Sequence, residues 1–192
     1  MSKEPAIEVK WDKIYKSCDY SEPTAVLREN IFLLPQKGCA LDLACGLGAN
    51  ALLLAEKGLE VHAWDVSSTA LSRLQQKAKQ QDLEIASKQI FVKADDLPAN
   101  SFDVVVISRF LDRSLSTSIS ACLKKDGLLF YQTFSREKRD SIGPNNSDFL
   151  LARNELLTLF QHLKVVVYKE NGLIGNLDCG ERNEVLFVAQ KC

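Results

Sequence analysis

The chain is poor in the residues that would make several functions easy to read. Among 192 residues there are two histidines, one methionine and five prolines. Six cysteines are present (Cys18, Cys39, Cys45, Cys122, Cys179 and Cys192), but none forms a C-x-x-C pair. With so few histidines to help them, a zinc site is not expected. No apolar run approaches the ~18 residues that a membrane-spanning helix needs. The first residues, MSKEPAIEVKWDKIY, are polar and lack the apolar stretch of a secretory signal. Basic excess is missing as well: the net charge is −1, so no nucleic-acid partner is expected. A soluble protein of a reducing cytoplasm is the expectation.

What is present is an ordinary globular composition with an ordered pattern of apolar runs. Residues 1–37 read as a helical cap: Trp11, Ile14 and Tyr15 share one face of a short helix, and Ala25 to Leu34 is helical before Pro35 stops it. Residues 38–192 read as the main unit. Strands are expected at 39–45, 60–65, 89–93, 102–107, 127–134, 165–168 and 185–189. Helices are expected over 50–57, from Ser67 or Ser68 through Ala78, over 115–123 and over 154–163. Alternating strands and helices imply a doubly wound α/β fold with a mostly parallel sheet. The last two strands have no helix between them and are expected to pair antiparallel at one edge. The polar stretch 135–148 is long enough to suspect a function.

Two segments carry the chemistry. LDLACGLGANA (41–51) joins a strand to a helix through Gly46 and Gly48. Glycines there let the backbone bend sharply and admit a ligand without a Cβ clash, and such ligands sit beyond the carboxyl ends of the strands. Asp42 lies inside the apolar strand, where an unpaired carboxylate is expensive. Either it braces the turn or it faces a positively charged group such as an ammonium or a sulfonium, and the two roles can coexist. Ala44 and Asn50 belong to the same turn and are further candidates for binding. VHAWD (61–65) ends in Asp65, whose two oxygens match the two hydroxyls of an adenosine ribose. Val66 or Trp64 is placed against a base, although Trp64 fits plain core equally well.

Later signals are weaker. Asp95 or Asp96 is a candidate acceptor for an adenine amine, with Leu97 against the ring, and a solvated turn is the alternative. Ser108 and Arg109 close the fourth strand at the ligand edge; Arg109 either orients an anionic acceptor or pairs with Asp112 or another nearby acid. Tyr131, Thr133 and Phe134 end the fifth strand and either line an acceptor pocket or belong to the core. Arg109 and Tyr131 are thus the only catalytic candidates. His62 and His162 read as structural.

Taken together, LPQKGCALDLACGLGANALLLAEKG (34–58), VHAWDVS (61–67) and SFDVVVISRFL (101–111) resemble the class I S-adenosylmethionine-dependent methyltransferases. The likeness covers roughly residues 21–170 and is nearest to the bacterial branch that includes tellurite-resistance and thiopurine-type enzymes. It implies a seven-stranded sheet with an antiparallel last strand and S-adenosyl-L-methionine as cofactor. It further implies that Gly46 and Gly48 cradle the amino-acid end of that cofactor, Asp65 holds the ribose and Asp42 supports the ammonium. The segment FLLARNELLTLF (149–160) also looks like this branch. Relatives often carry Thr and Arg where this chain has Leu47 and Ala49, so an acceptor cannot be transferred by analogy. Because no evident general base is present, a small acceptor with a soft sulfur, selenium or tellurium atom is the expectation. A regulatory module that binds the cofactor without turnover and a nicotinamide-dependent oxidoreductase are the alternatives.

Overall fold

The computed structural model describes residues 4–20 and 22–192. Two helices precede the sheet, α1 (Glu4–Ser17) and α2 (Ala25–Glu29). Then follow β1 (Cys39–Leu43), α3 (Ala49–Glu56), β2 (Glu60–Asp65), α4 (Ser68–Gln80) and β3 (Ile85–Gln89). The second half holds β4 (Phe102–Ser108), α5 (Ser116–Cys122), β5 (Leu123–Phe134), α6 (Glu155–Leu159), β6 (Lys164–Lys169) and β7 (Glu184–Gln190). The seven strands form one sheet in the order β3-β2-β1-β4-β5-β7-β6. The first five run parallel, and β7 runs antiparallel to both of its neighbours. This is the Rossmann-like methyltransferase architecture. None of the described helices is long and apolar enough to cross a membrane.

Two hydrophobic layers explain the apolar runs. Leu41, Leu43, Val105, Ile107, Leu129 and Tyr131 pack on one face of the sheet, and Ala40, Val104, Val106 and Phe130 on the other. Side chains alternate between faces along a strand, so a central strand must be apolar at nearly every position. Asp42 breaks this rule on the Ala40 face and is fully buried.

Several expected boundaries move, each for a local reason. The third strand spans 85–89 instead of 89–93. It is an edge strand with one buried residue, Ile85, and therefore shows no apolar alternation. The apolar residues Ile90, Phe91 and Val92 leave the sheet and turn toward the carboxyl edge. The helix expected over 154–163 is only Glu155–Leu159, because Phe160 already departs from helical dihedrals at φ −116°. Helix α2 ends at Glu29 and continues as a single 3₁₀ turn, Ile31–Leu33. The final two strands pair antiparallel as anticipated, with β7 inside and β6 at the rim.

Candidate cofactor site

At the carboxyl ends of β1 and β2 the chain makes a tight turn. Ala44, Gly46 and Gly48 all take left-handed dihedrals, with φ of 57°, 54° and 75°. Asp65 holds this turn closed: one carboxylate oxygen accepts from the Gly46 N–H at 2.8 Å, the other from the Ser67 N–H at 2.8 Å. Burial raises its pKa, opposed by these backbone donors. Each oxygen retains a second lone pair, so the carboxylate can still accept from a ligand.

Asp42 lies beneath the turn. One oxygen accepts from the Ala51 N–H at 3.0 Å, in the first turn of α3, and the other has no hydrogen-bond partner. Desolvation pushes its pKa up to about 7. Its bracing role is thus visible, and a second, unsatisfied oxygen accompanies it.

A cavity of about 110 Å³ opens beside the turn. Its walls are Leu43, Ala44, Trp64, Asp65 and Val66 from the first two strands and Ile90, Phe91 and Val92 after β3. Phe110 and Asp112 after β4, with Ile7, Trp11 and Tyr15 of α1, complete it. Trp64 belongs to both readings given above: it lines the cavity, yet it packs edge-on against Phe102 and is only 7% exposed.

Helix α1 is the element that closes this space. Ile7, Trp11 and Tyr15 form an i, i+4, i+8 stripe, and the Trp11 and Tyr15 rings stack 5.6 Å apart. Ile14, expected on the same face, is instead exposed. A Cβ at Gly46 would stand 2.7 Å from the Tyr15 hydroxyl, so that hydroxyl occupies the ground directly over the turn. Burial, and then the Asp65 carboxylate, hold the Tyr15 phenol well above the ordinary tyrosine range, so it stays protonated. Two polar clamps fix α1 to α4. Asp12 accepts from the Ser67 and Ser68 hydroxyls and from the Thr69 N–H. Arg73 donates to the carbonyls of Tyr15 and Cys18.

The other sequence candidates are distributed around this centre. Gly48 faces away, toward Leu74 of α4, which a Cβ would meet at 2.3 Å. Asn50 accepts from the Thr24 N–H and hydroxyl and donates to the Ser108 hydroxyl, tying α2 to the turn. Asp42, Asn50, Ser108, Asp95, Asp96 and Leu97 are not among the cavity walls; Asp42 is fully buried beneath the turn, Asp96 accepts from the Lys93 N–H and Leu97 is core. Arg109 pairs with the buried Glu184 at 2.7 Å, not with Asp112. The Tyr131 hydroxyl is buried and donates to the Phe110 carbonyl at 2.9 Å. Thr133 and Phe134 are buried too. Phe110 falls within the 101–111 segment that carries the resemblance, whereas the wall residues 90–92 and Asp112 belong to no sequence motif. The spacing of Ile7, Trp11 and Tyr15 was the one signal that could have found α1.

Residues 40–127 match the methyltransferase-domain family. YqeM of Bacillus subtilis, provisionally named a methyltransferase, is 30% identical over 151 residues, 71% of this chain and 58% of YqeM. The chain therefore spans less than two thirds of that relative. Among solved structures, TehB from Haemophilus influenzae superposes with a TM-score of 0.71 at 23% identity, covering 96% of this chain and 67% of TehB. An S-adenosylmethionine-dependent methyltransferase from Methanosarcina mazei gives 0.66 at 18% identity, covering 89% and 99%. At these identities the two structures speak for the methyltransferase fold.

Proposed function

We propose that the protein is an S-adenosyl-L-methionine-dependent methyltransferase acting on a small molecule, with α1 as the closing element of its site. The observation that carries this reading is the Asp65 carboxylate, set in the wall of an aromatic cavity directly beside the Gly46 turn. Flat apolar walls suit a purine, a carboxylate suits ribose hydroxyls, and carboxylates suit a cationic ligand. The partnerless oxygen of Asp42 fits an ammonium, which would satisfy a buried group that is otherwise costly. A nicotinamide cofactor carries no ammonium to set against that oxygen.

Size adds a requirement. Ligand pockets commonly run from about 300 to 1,000 Å³, well above the 110 Å³ found here. A ligand of that size would need Tyr15, whose hydroxyl stands over the turn, to shift aside, with α1 packing against it once bound.

Bound here, the cofactor supplies a methyl already activated on sulfur. The protein's work is alignment and exclusion of water. Asp65 would grip the ribose, Asp42 would oppose the ammonium, and Trp64, Phe91 and Val92 would flank the base. The acceptor side falls to Phe110 and Asp112. A soft sulfur, selenium or tellurium acceptor, as the resemblance to the tellurite-resistance and thiopurine-type branch implies, needs no strong base. An oxygen or nitrogen acceptor would draw on Asp112.

Thermal unfolding with S-adenosylmethionine, S-adenosylhomocysteine and NAD tests the cofactor. Stabilisation is expected from the first two alone, and Asp65→Ala should weaken it at least about 100-fold, the scale of a lost charge-assisted pair of hydrogen bonds. Undiminished binding in that variant refutes the ribose assignment. A panel of thiol and chalcogen acceptors against oxygen and nitrogen acceptors, run with wild type and Asp112→Asn, tests the rest. Binding without turnover on any acceptor would favour a regulatory module.

A further inference from the structure

At the opposite rim of the sheet, where β1 and β2 begin, three side chains of different donor type converge. Cys39 and Glu60 are register partners, and side chains paired across parallel strands project from the same face. His62, two residues on, projects from that face too. The result is a thiol, a carboxylate and an imidazole whose donor atoms all lie within 4.8 Å of one another. Among the described residues this is the one such group of potential metal ligands. His62 Nε2 and Glu60 Oε1 are already 3.7 Å apart. Ligands around a tetrahedral zinc ion stand about 3.4–3.8 Å apart, given bonds of about 2.0–2.3 Å. A contraction of about 1 Å completes the set.

We infer that Cys39, Glu60 and His62 form a binding site for a thiophilic divalent cation such as zinc, independent of the cofactor cleft. The surroundings suit the task. Asp103 accepts from the Cys39 N–H at 2.7 Å and fixes the backbone that carries the thiol. The same carboxylate pairs with Lys124 at 2.7 Å, so the nearest ammonium is neutralised. Phe102 packs edge-on against the His62 ring, 5.8 Å between centroids, and limits its rotation. Cys39 is partly buried, His62 partly exposed and Glu60 exposed, which leaves an entry path and a fourth position for water. Binding replaces the thiol proton by the cation and releases that proton to solvent. The ion would pin β1 to β2 at the rim that carries no cofactor.

Cobalt(II) titration of the full chain tests this, because a cobalt–thiolate bond adds a near-ultraviolet charge-transfer band. One equivalent should bind, and zinc should displace it. Cys39→Ser should abolish the band and weaken zinc binding at least about 100-fold. His62→Ala should weaken it about 10-fold or more. The exposed Cys18, Cys179 and Cys192 are the competing thiols; the triple serine variant should bind as wild type does. Zinc should raise the unfolding temperature of wild type and not of Cys39→Ser, whose metal-free unfolding checks that it folds. A band that survives in Cys39→Ser, ignores His62→Ala or disappears in the triple variant overturns the site.

Discussion

At the scale of single residues, Asp42 and Gly46 carry the clearest consequences. Burial lifts the Asp42 carboxyl from the ordinary aspartate value of 3.8 to about 7 in the folded protein. Across that window the folded protein keeps a proton that the unfolded chain gives up. Stability therefore falls as pH rises from about 4 to about 7, then levels. The loss from this group is at most about 4 kcal/mol. Asp42→Asn should flatten that slope in urea unfolding series, leaving the smaller part due to Asp65, whose pKa is raised in the same direction. If an ammonium binds opposite Asp42, cofactor binding at pH 6 should release a proton from wild type and none from Asp42→Asn. Calorimetry in buffers of different ionisation enthalpy reads that difference. Gly46→Ala should cost about 1 kcal/mol for its left-handed backbone and more for the collision with Tyr15. Tyr15→Phe removes the hydroxyl that a Cβ would meet at 2.7 Å. The two substitutions should therefore couple by at least about 0.5 kcal/mol, and strict additivity would show that Tyr15 does not cover the turn. Asp42 and Asp65 were legible in the sequence because a carboxylate inside an apolar strand, or at its end, demands a reason. Asp112 was not, because it follows its strand at a distance and resembles any loop acid.

At the scale of elements, a helix was visible in the first residues but its job was not. The spacing of Trp11, Ile14 and Tyr15 announces an apolar face without saying what lies under it. In the structure the working stripe is Ile7, Trp11 and Tyr15, and Asp12 on the neighbouring side caps α4 from outside. No pattern local to α1 encodes that clamp, since its partners lie more than fifty residues away. Asp12→Ala should free α1 while the sheet stays folded. Loss of such a cap costs about 1 kcal/mol, so trypsin cleavage at Lys10, Lys13 and Lys16 should accelerate about five-fold. Cofactor should protect these sites in wild type. If α1 is equally protected in the variant, the clamp is not what holds it. The central strands were legible because burial on two faces leaves an apolar run. β3 was displaced because an edge strand with one buried residue leaves none.

At the scale of the whole molecule, strand order brings together residues that sequence cannot associate. Cys39, Glu60 and His62 meet only through the register of β1 with β2. Glu184, at the start of β7, meets Gln132 on β5 and Arg109 at the end of β4 only because β7 inserts beside β5. Gln132 in turn accepts from the Val26 N–H at 2.8 Å, so this network joins the sheet to α2. Its energies divide unequally. The Arg109 side chain is 56% exposed while Glu184 is buried, so solvent screens only the arginine side and the pair contributes modestly. The Gln132–Glu184 bond is buried, and a donor stranded there loses about 1–3 kcal/mol. Glu184→Gln should thus lower stability by about 1 kcal/mol or less, whereas Glu184→Ala should lower it by about 3 kcal/mol, with the added loss of buried packing. Denaturant unfolding separates the two. Both variants release Arg109 at the carboxyl edge. If Arg109 orients an anionic acceptor, its KM should rise in Glu184→Gln while cofactor affinity holds; an unchanged KM would leave Arg109 as an anchor of β7 alone.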